Sequence, residues 1–264
     1  MIQTEDIEKI LAEKRRNQPD IGVATITLNR LPVFQPTLRA KYREEAYESP
    51  YGRITIKGRL GQNHKSLLET ILYLRKLYDL DEENMRLRVL YNEYEVKKHL
   101  TTGSTTYNYK GYKQLIEDMK QAHVSVGTIA SGPIIKEIRP SDNYSRKTKG
   151  NLPVIKGKEI PYMIVEFGSV INYLIAKELR FTYDPRAILQ LQNGISQAVT
   201  RYVKTHKNHP GAGYHLKTLV EALTGNIEGQ DWWNIKRLLK KDVEGLKALG
   251  ITIDFKKNRL YVAC

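Results

Sequence analysis

Apolar positions recur along this chain with two periods, and each period predicts its own kind of element. From position 51 the segment GRITIKG alternates apolar and polar side chains, the period of a half-buried strand. Over 64–78 Leu67, Leu68, Ile71, Leu72 and Leu74 fall at helical spacing and form one broad apolar stripe. RLRVLY at 86–91 puts Leu87, Val89 and Tyr91 on one side of a short strand, and a helix over 92–100 is expected to start at the good capping residue Asn92. TTGSTTYN at 101–108 is turn chemistry. A helix follows over 109–122, with Tyr112, Leu115, Ile116 and Met119 facing one way and Lys110, Lys113, Gln114, Glu117 and Lys120 the other. VSVGTIA and IIKEIRP, separated by Ser131-Gly132-Pro133, are expected to pair as a hairpin. Helix, strand, helix, turn, helix and hairpin is the order of a winged helix-turn-helix.

The same order returns further on. After a strand over 160–167 and a short helix over 168–178, a long helix is predicted over 185–206, with Ile188, Leu191, Ile195, Val199 and Tyr202 inward. A Gly/Pro/His turn, a short helix over 214–223, a third helix over 231–249 and a hairpin with a charged KKN tip complete the set. The expected fold class is therefore α+β, mainly helical, with two tandem winged helix-turn-helix domains at 51–180 and 181–264. Residues 1–50 read as a leader and extended arm, because Pro19, Pro32, Pro36 and Pro50 prevent a continuous helix.

Charge then narrows the function. Lys and Arg number 43 against 29 Asp and Glu, a formal net charge of +14. An excess of that size favours a polyanionic partner, since each phosphate neutralised releases condensed counterions. The stretch 141–158 reads as an exposed basic loop that includes Arg146, Lys147 and Lys149. No apolar run reaches the ~20 residues that span a bilayer, and the N-terminus lacks a signal peptide's apolar core. A cytoplasmic location, nucleoid- or plasmid-associated, is the expectation. The single Cys264 excludes an internal disulfide and a cysteine-cluster metal site.

The third helix of the second domain is the expected reading helix. Ile235, Leu238, Leu239, Val243 and Leu246 make its core face, while Lys236, Arg237, Lys240 and Lys241 cluster on the other side. Asn234 and Arg237 are expected to reach base edges, because Arg can hold the O6/N7 edge of guanine and Asn the N6/N7 edge of adenine; the lysines suit phosphate. Of Trp232 and Trp233, one is expected in the core and the other at the backbone or helix end. In the first domain the corresponding surface is Asn108, Tyr109, Lys110, Lys113 and Gln114, less basic and better suited to contact through phosphates and its adjacent loop than through bases.

Catalytic chemistry is missing from the sequence. There is no phosphate-binding G-x-x-x-x-G-K-[ST] loop, so ATP hydrolysis is not expected. His206 and His209 stand beside a turn with no third ligand nearby, and their HKNH spacing is not the His-apolar-His pair of a nickase. Neither a cofactor nor a metal is expected, and the chain reads as a non-enzyme.

From about 50 to 262 the chain resembles plasmid replication initiators, in particular the iteron-binding initiators of IncQ-type broad-host-range plasmids. The stretches that carry the resemblance are YGRITIKGRLGQNHKSLLETILYL, YNYKGYKQLIEDMKQAHVSV, MIVEFGSVINYLIAKELRFTYDPRAILQLQNGISQAVTRYVKTH, LKTLVEALTG and LLKKDVEGLKALGITIDF. The resemblance implies a factor that binds repeated sites on double-stranded DNA, helps melt an adjacent A·T-rich segment and recruits a replicative helicase or host initiation factors. It places Lys236, Arg237 and Lys240 on the major-groove helix of the second domain, and Lys110 and Lys113 on that of the first. The proline-punctuated arm and the basic 141–158 loop depart from the family and leave homodimerisation and origin geometry open. A transcriptional repressor or partition protein on the same scaffold is the alternative, since fold does not choose the job.

Overall fold

The computed structural model describes residues 21–48, 52–101, 109–141, 154–155, 158–159, 162–225 and 229–263, which form an α+β fold. The chain enters through β1 (Ala24–Thr25) and α1 (Ile26–Arg30), where the Thr25 side chain caps the helix by accepting from the Leu28 N–H. Next come β2 (Arg43–Tyr47), β3 (Ile54–Gly58), α2 (Gln62–Tyr73), β4 (Leu77–Asp81), β5 (Arg86–Asn92), α3 (Glu93–Leu100) and α4 (Tyr109–Gln121). The first half ends with β6 (His123–Val126), β7 (Ala130–Gly132), β8 (Ile135–Pro140), β9 (Val154–Ile155), β10 (Lys158–Glu159), β11 (Tyr162–Phe167), α5 (Ser169–Lys177) and β12 (Arg180–Phe181).

Two four-stranded antiparallel sheets, ordered β2-β3-β6-β7 and β4-β5-β11-β8, organise this half. Alternation along each strand puts one face on a shared core: Ile54 and Ile56 of β3, Leu87, Val89 and Tyr91 of β5, and Val165 and Phe167 of β11 are buried with the α2 stripe Leu67, Leu68, Ile71 and Leu72. Tyr91 and Tyr112 share a buried hydroxyl–hydroxyl hydrogen bond of 2.7 Å, which joins β5 to α4. Asn92 caps α3 as its position suggests, accepting from the Glu95 N–H at 3.0 Å.

Three sequence expectations are corrected here. The helix expected over 64–78 stops at Tyr73, and its last residues belong to β4, paired along β5. The VSVGTIA–IIKEIRP hairpin does not form: β6 pairs with β3 and the short β7, while β8 crosses to pair with β11. Gly132 at φ 153° and Pro133, which has no N–H to donate, end the ladder between β7 and β8. Residues 21–34 are not an extended arm. Ile21, Val23, Ala24, Leu28, Val33 and Phe34 are buried in the first core, and β1 pairs with β12.

The second half is α6 (Arg186–Leu189), α7 (Gly194–Lys204), β13 (Tyr214–His215), α8 (Leu216–Thr224), α9 (Gly229–Lys241), α10 (Val243–Ala248), β14 (Ile251–Asp254) and β15 (Arg259–Val262). Its sheet runs β13-β15-β14, so the terminal hairpin is extended by the short strand that precedes α8. A separate core gathers Leu191, Ile195 and Val199 with Leu219 and Val220 of α8, Leu239 of α9, Ile251 and Leu260.

The helices expected over 185–206 and 231–249 are each broken, the first at 190–193 and the second at Asp242. One side chain joins the two breaks. The buried Asp242 carboxylate accepts from the backbone N–H of Gln192 at 2.9 Å and of Asn193 at 3.0 Å, and from Asn193 Nδ2 at 2.9 Å. Asn193 Nδ2 also donates to the Leu238 carbonyl at 3.2 Å. The junction after α9 is thus tied to the entry of α7, with a negative charge at a helix N-terminus, where the macrodipole favours it.

The two halves meet across polar stripes. α7 is buried on both flanks, with Ser196, Gln197, Thr200 and Arg201 buried as well as its apolar residues. Arg201, fully buried, holds Glu69 of α2: Nε lies 3.0 and 2.9 Å from the two carboxylate oxygens and Nη2 2.8 Å from Oε2. Its remaining N–H groups donate to Gln62 at 2.8 Å and Ser66 at 2.9 Å, and the Tyr183 hydroxyl donates to Glu69 at 2.7 Å. Burial works against the Arg201 charge, but the Glu69 carboxylate outweighs it and raises the guanidinium pKa above its ordinary value. Arg30 of α1 adds a second tie, donating to the Thr205 side chain and carbonyl just past the end of α7 at 2.9 and 2.8 Å.

Lys65, beside this network, donates to the Leu28 carbonyl and lies 5.7 Å from the Phe34 ring centre. Burial pushes its pKa down to about 7, with Glu69 opposing and Arg201 assisting. An unfolded lysine keeps its proton up to roughly pH 10.4. Between about pH 7 and 10, therefore, the unfolded state binds more protons at this site and stability should rise with pH. Urea denaturation across that window should show the rise and Lys65→Met should flatten it; equal slopes for the two proteins would refute the assignment.

Candidate nucleic-acid interface

α9 divides its residues between the second core and solvent. Leu239 is buried, and Trp232, Ile235 and Leu238 pack partly buried against the same core. On the opposite side Arg237, Lys240 and Lys241 are exposed, Asn234 and Lys236 are half-buried, and Trp233 is 56% exposed. The two adjacent tryptophans thus separate as the helical turn requires, Trp232 towards the core and Trp233 towards solvent. Val243, expected on the core face of one continuous helix, lies past the break and is only half-buried.

Aromatic rings hold the cationic side chains. Lys236 Nζ lies 5.4 Å from the Trp232 ring centre, the Arg237 guanidinium carbon 5.8 Å from that of Trp233, and Lys240 Nζ 5.4 Å from that of Phe255. Phe255 and Lys256 belong to the turn between β14 and β15, and with Trp233, Lys236, Arg237 and Lys240 they line a cleft of about 300 Å³. Phe255 and Lys256 were not expected at the site; the KKN tip is the sequence signal for them, but only the fold brings that tip against α9. The turn is braced from within. The Asp254 carboxylate accepts from the Lys256 and Lys257 N–H groups, each at 3.0 Å, and Asn258 takes φ 51°. Those hydrogen bonds, that of Lys257 foremost, lower the Asp254 pKa below its ordinary value.

In the first half, Lys110, Lys113 and Gln114 are exposed on α4, and Tyr109 opens that helix. Gln114 is engaged within its own helix, donating to Asp118 at 2.9 Å. Asp118 in turn faces His64 Nε2 at 3.2 Å, while His64 Nδ1 accepts from the Gly61 N–H at 3.0 Å, so the ring proton sits on Nε2. Asn108, Arg146, Lys147 and Lys149 lie outside the described residues.

The turn histidines meet tyrosines. The His206 ring centre lies 5.0 Å from that of Tyr202, tilted by 35°, and 5.3 Å from that of Tyr214, edge-on at 71°, and His209 Nδ1 lies 2.8 Å from the Tyr214 hydroxyl. Among the described residues no group of three or more His, Cys, Asp or Glu is placed to hold a metal ion, and no helix is long and apolar enough to cross a membrane.

No protein-family model and no curated protein matches the sequence. Among solved structures, the crystal structure of domains 2 and 3 of RctB is similar, with a TM-score of 0.51 at 13% identity over 87% of this chain and 88% of that one. This likeness is one of fold, and it spans both halves of the molecule.

Proposed function

We propose that this chain is a sequence-specific duplex-DNA-binding protein that starts replication from repeated origin sites, working as a non-enzymatic, cytoplasmic initiator on two winged helix-turn-helix units. The observation that carries the proposal is the cationic, aromatic-lined cleft between α9 and the β14–β15 turn. In the second unit α7, α8 and α9 act as the three helices and β14–β15 as the wing. α9 is the reading helix and enters the major groove, while the wing lysines take phosphate. In the first unit α4 presents Lys110 and Lys113 in the corresponding role, and the short β6–β7 pair stands as the wing in place of the hairpin that does not form. The fold likeness to domains 2 and 3 of RctB is compatible with this reading, while the choice of an initiator over a repressor or partition protein rests on the initiator-like sequence stretches.

DNA selected by the chain from a random pool should be duplex and should map by footprinting to direct repeats at an origin; a single palindrome over a promoter would favour the repressor instead. Arg237→Ala should cost about 1–3 kcal/mol and relax specificity at one base pair, whereas Lys240→Ala should weaken all sequences alike and reduce the salt slope by roughly one. If both variants weaken random DNA equally, α9 is not the reading helix. Supercoiled origin DNA incubated with the protein and Mg²⁺ should remain uncut.

A further inference from the structure

Trp233 lies outside the second core. Its neighbour Trp232 takes the core-facing position, and Trp233 stands 56% exposed on the cationic side of α9, four residues before Arg237. Its ring lines the same cleft as Lys236, Arg237, Lys240 and Lys256, so apolar surface and cationic groups face one space, which suits an occupant that is anionic and also offers apolar surface. Duplex DNA supplies both. In the major groove the one apolar group on any unmodified base is the 5-methyl of thymine, while guanine offers Arg the paired O6/N7 acceptors. The Arg237 guanidinium carbon lies 5.8 Å from the Trp233 ring centre, so the ring restrains the side chain that would hold guanine and would itself come close to that base or its neighbour.

We infer that Trp233 is a specificity-determining residue that packs on a thymine methyl next to the guanine held by Arg237, so that the pair reads a thymine–guanine step as a unit. This rests on the reading role proposed for α9.

The test uses the full chain and the DNA it selects from a random pool. Each thymine is replaced singly by deoxyuridine, which lacks only the 5-methyl. At one position, adjacent to the guanine that Arg237→Ala ceases to distinguish, uracil should lower affinity about four-fold, the effect of taking one methyl out of apolar contact. Trp233→Ala should bind the thymine and uracil forms equally there, and Trp233→Phe should keep the discrimination. Uniform indifference of the native chain to uracil, or discrimination that survives in Trp233→Ala, overturns the inference. A chain that selects no duplex DNA at all overturns the proposed function beneath it, so the two failures are distinguishable.

Discussion

Replacing Arg201 by methionine is expected to lower the stability of the protein by about 3–5 kcal/mol, because Glu69 would be left charged and buried with its principal partner gone. The loss should exceed what the missing contacts alone suggest. In the native interface the guanidinium also satisfies Gln62 and Ser66, and the carboxylate that remains keeps the Tyr183 hydroxyl bond and the attraction of nearby Lys65 but no direct ion pair. Chemical denaturation is the measurement, and the double variant Arg201→Met/Glu69→Leu supplies the control. With both charges removed, much of the loss should return, since a buried ion pair replaced by well-packed apolar groups is often close to neutral. A single variant that loses less than about 1 kcal/mol would mean that the interface is wetter than its burial indicates.

Asp242→Ala is the second large effect, expected to cost about 3 kcal/mol, since three hydrogen bonds to one buried charged acceptor disappear together. The substitution releases the turn that leads into α7 and, through Asn193, the Leu238 carbonyl in the last turn of α9. Stability should therefore fall, and with it the DNA affinity proposed for α9. Asp242→Asn keeps an acceptor oxygen and should retain more of each. Should Asp242→Ala weaken DNA binding while leaving the denaturation midpoint where it was, the residue touches DNA directly and the positioning account is wrong.

These two residues also show where sequence reasoning succeeds and where it stops. The apolar stripes were legible: Leu67, Leu68, Ile71 and Leu72 on α2, and Tyr112, Leu115, Ile116 and Met119 on α4, are buried as their spacing predicts. So was the separation of apolar and cationic sides on α9. What was not legible is that Gln62, Ser66 and Glu69 on α2 and Gln197 and Arg201 on α7 line a buried seam. Each polar stripe by itself has the signature of a solvated face, and its partner lies more than a hundred residues away in the chain. Asp242 was hidden for a related reason. Its neighbours keep helical periodicity, and only the carboxylate's long-range partners explain why the helix stops there. The strand errors have a local cause, since β6 and β8 are both apolar enough to pair and Gly132-Pro133 decides which ladder each one joins.

If the last hairpin meets DNA as proposed, the brace inside it bears on association. Because the Asp254 carboxylate already gathers two amides and Asn258 already occupies its left-handed conformation, the lysines beside them project from a rigid knuckle. Immobilising a loop at the moment of contact would forfeit part of the attraction as lost chain entropy. Here that ordering is complete before any partner arrives, so the complex should form quickly and its lifetime should report the charges themselves.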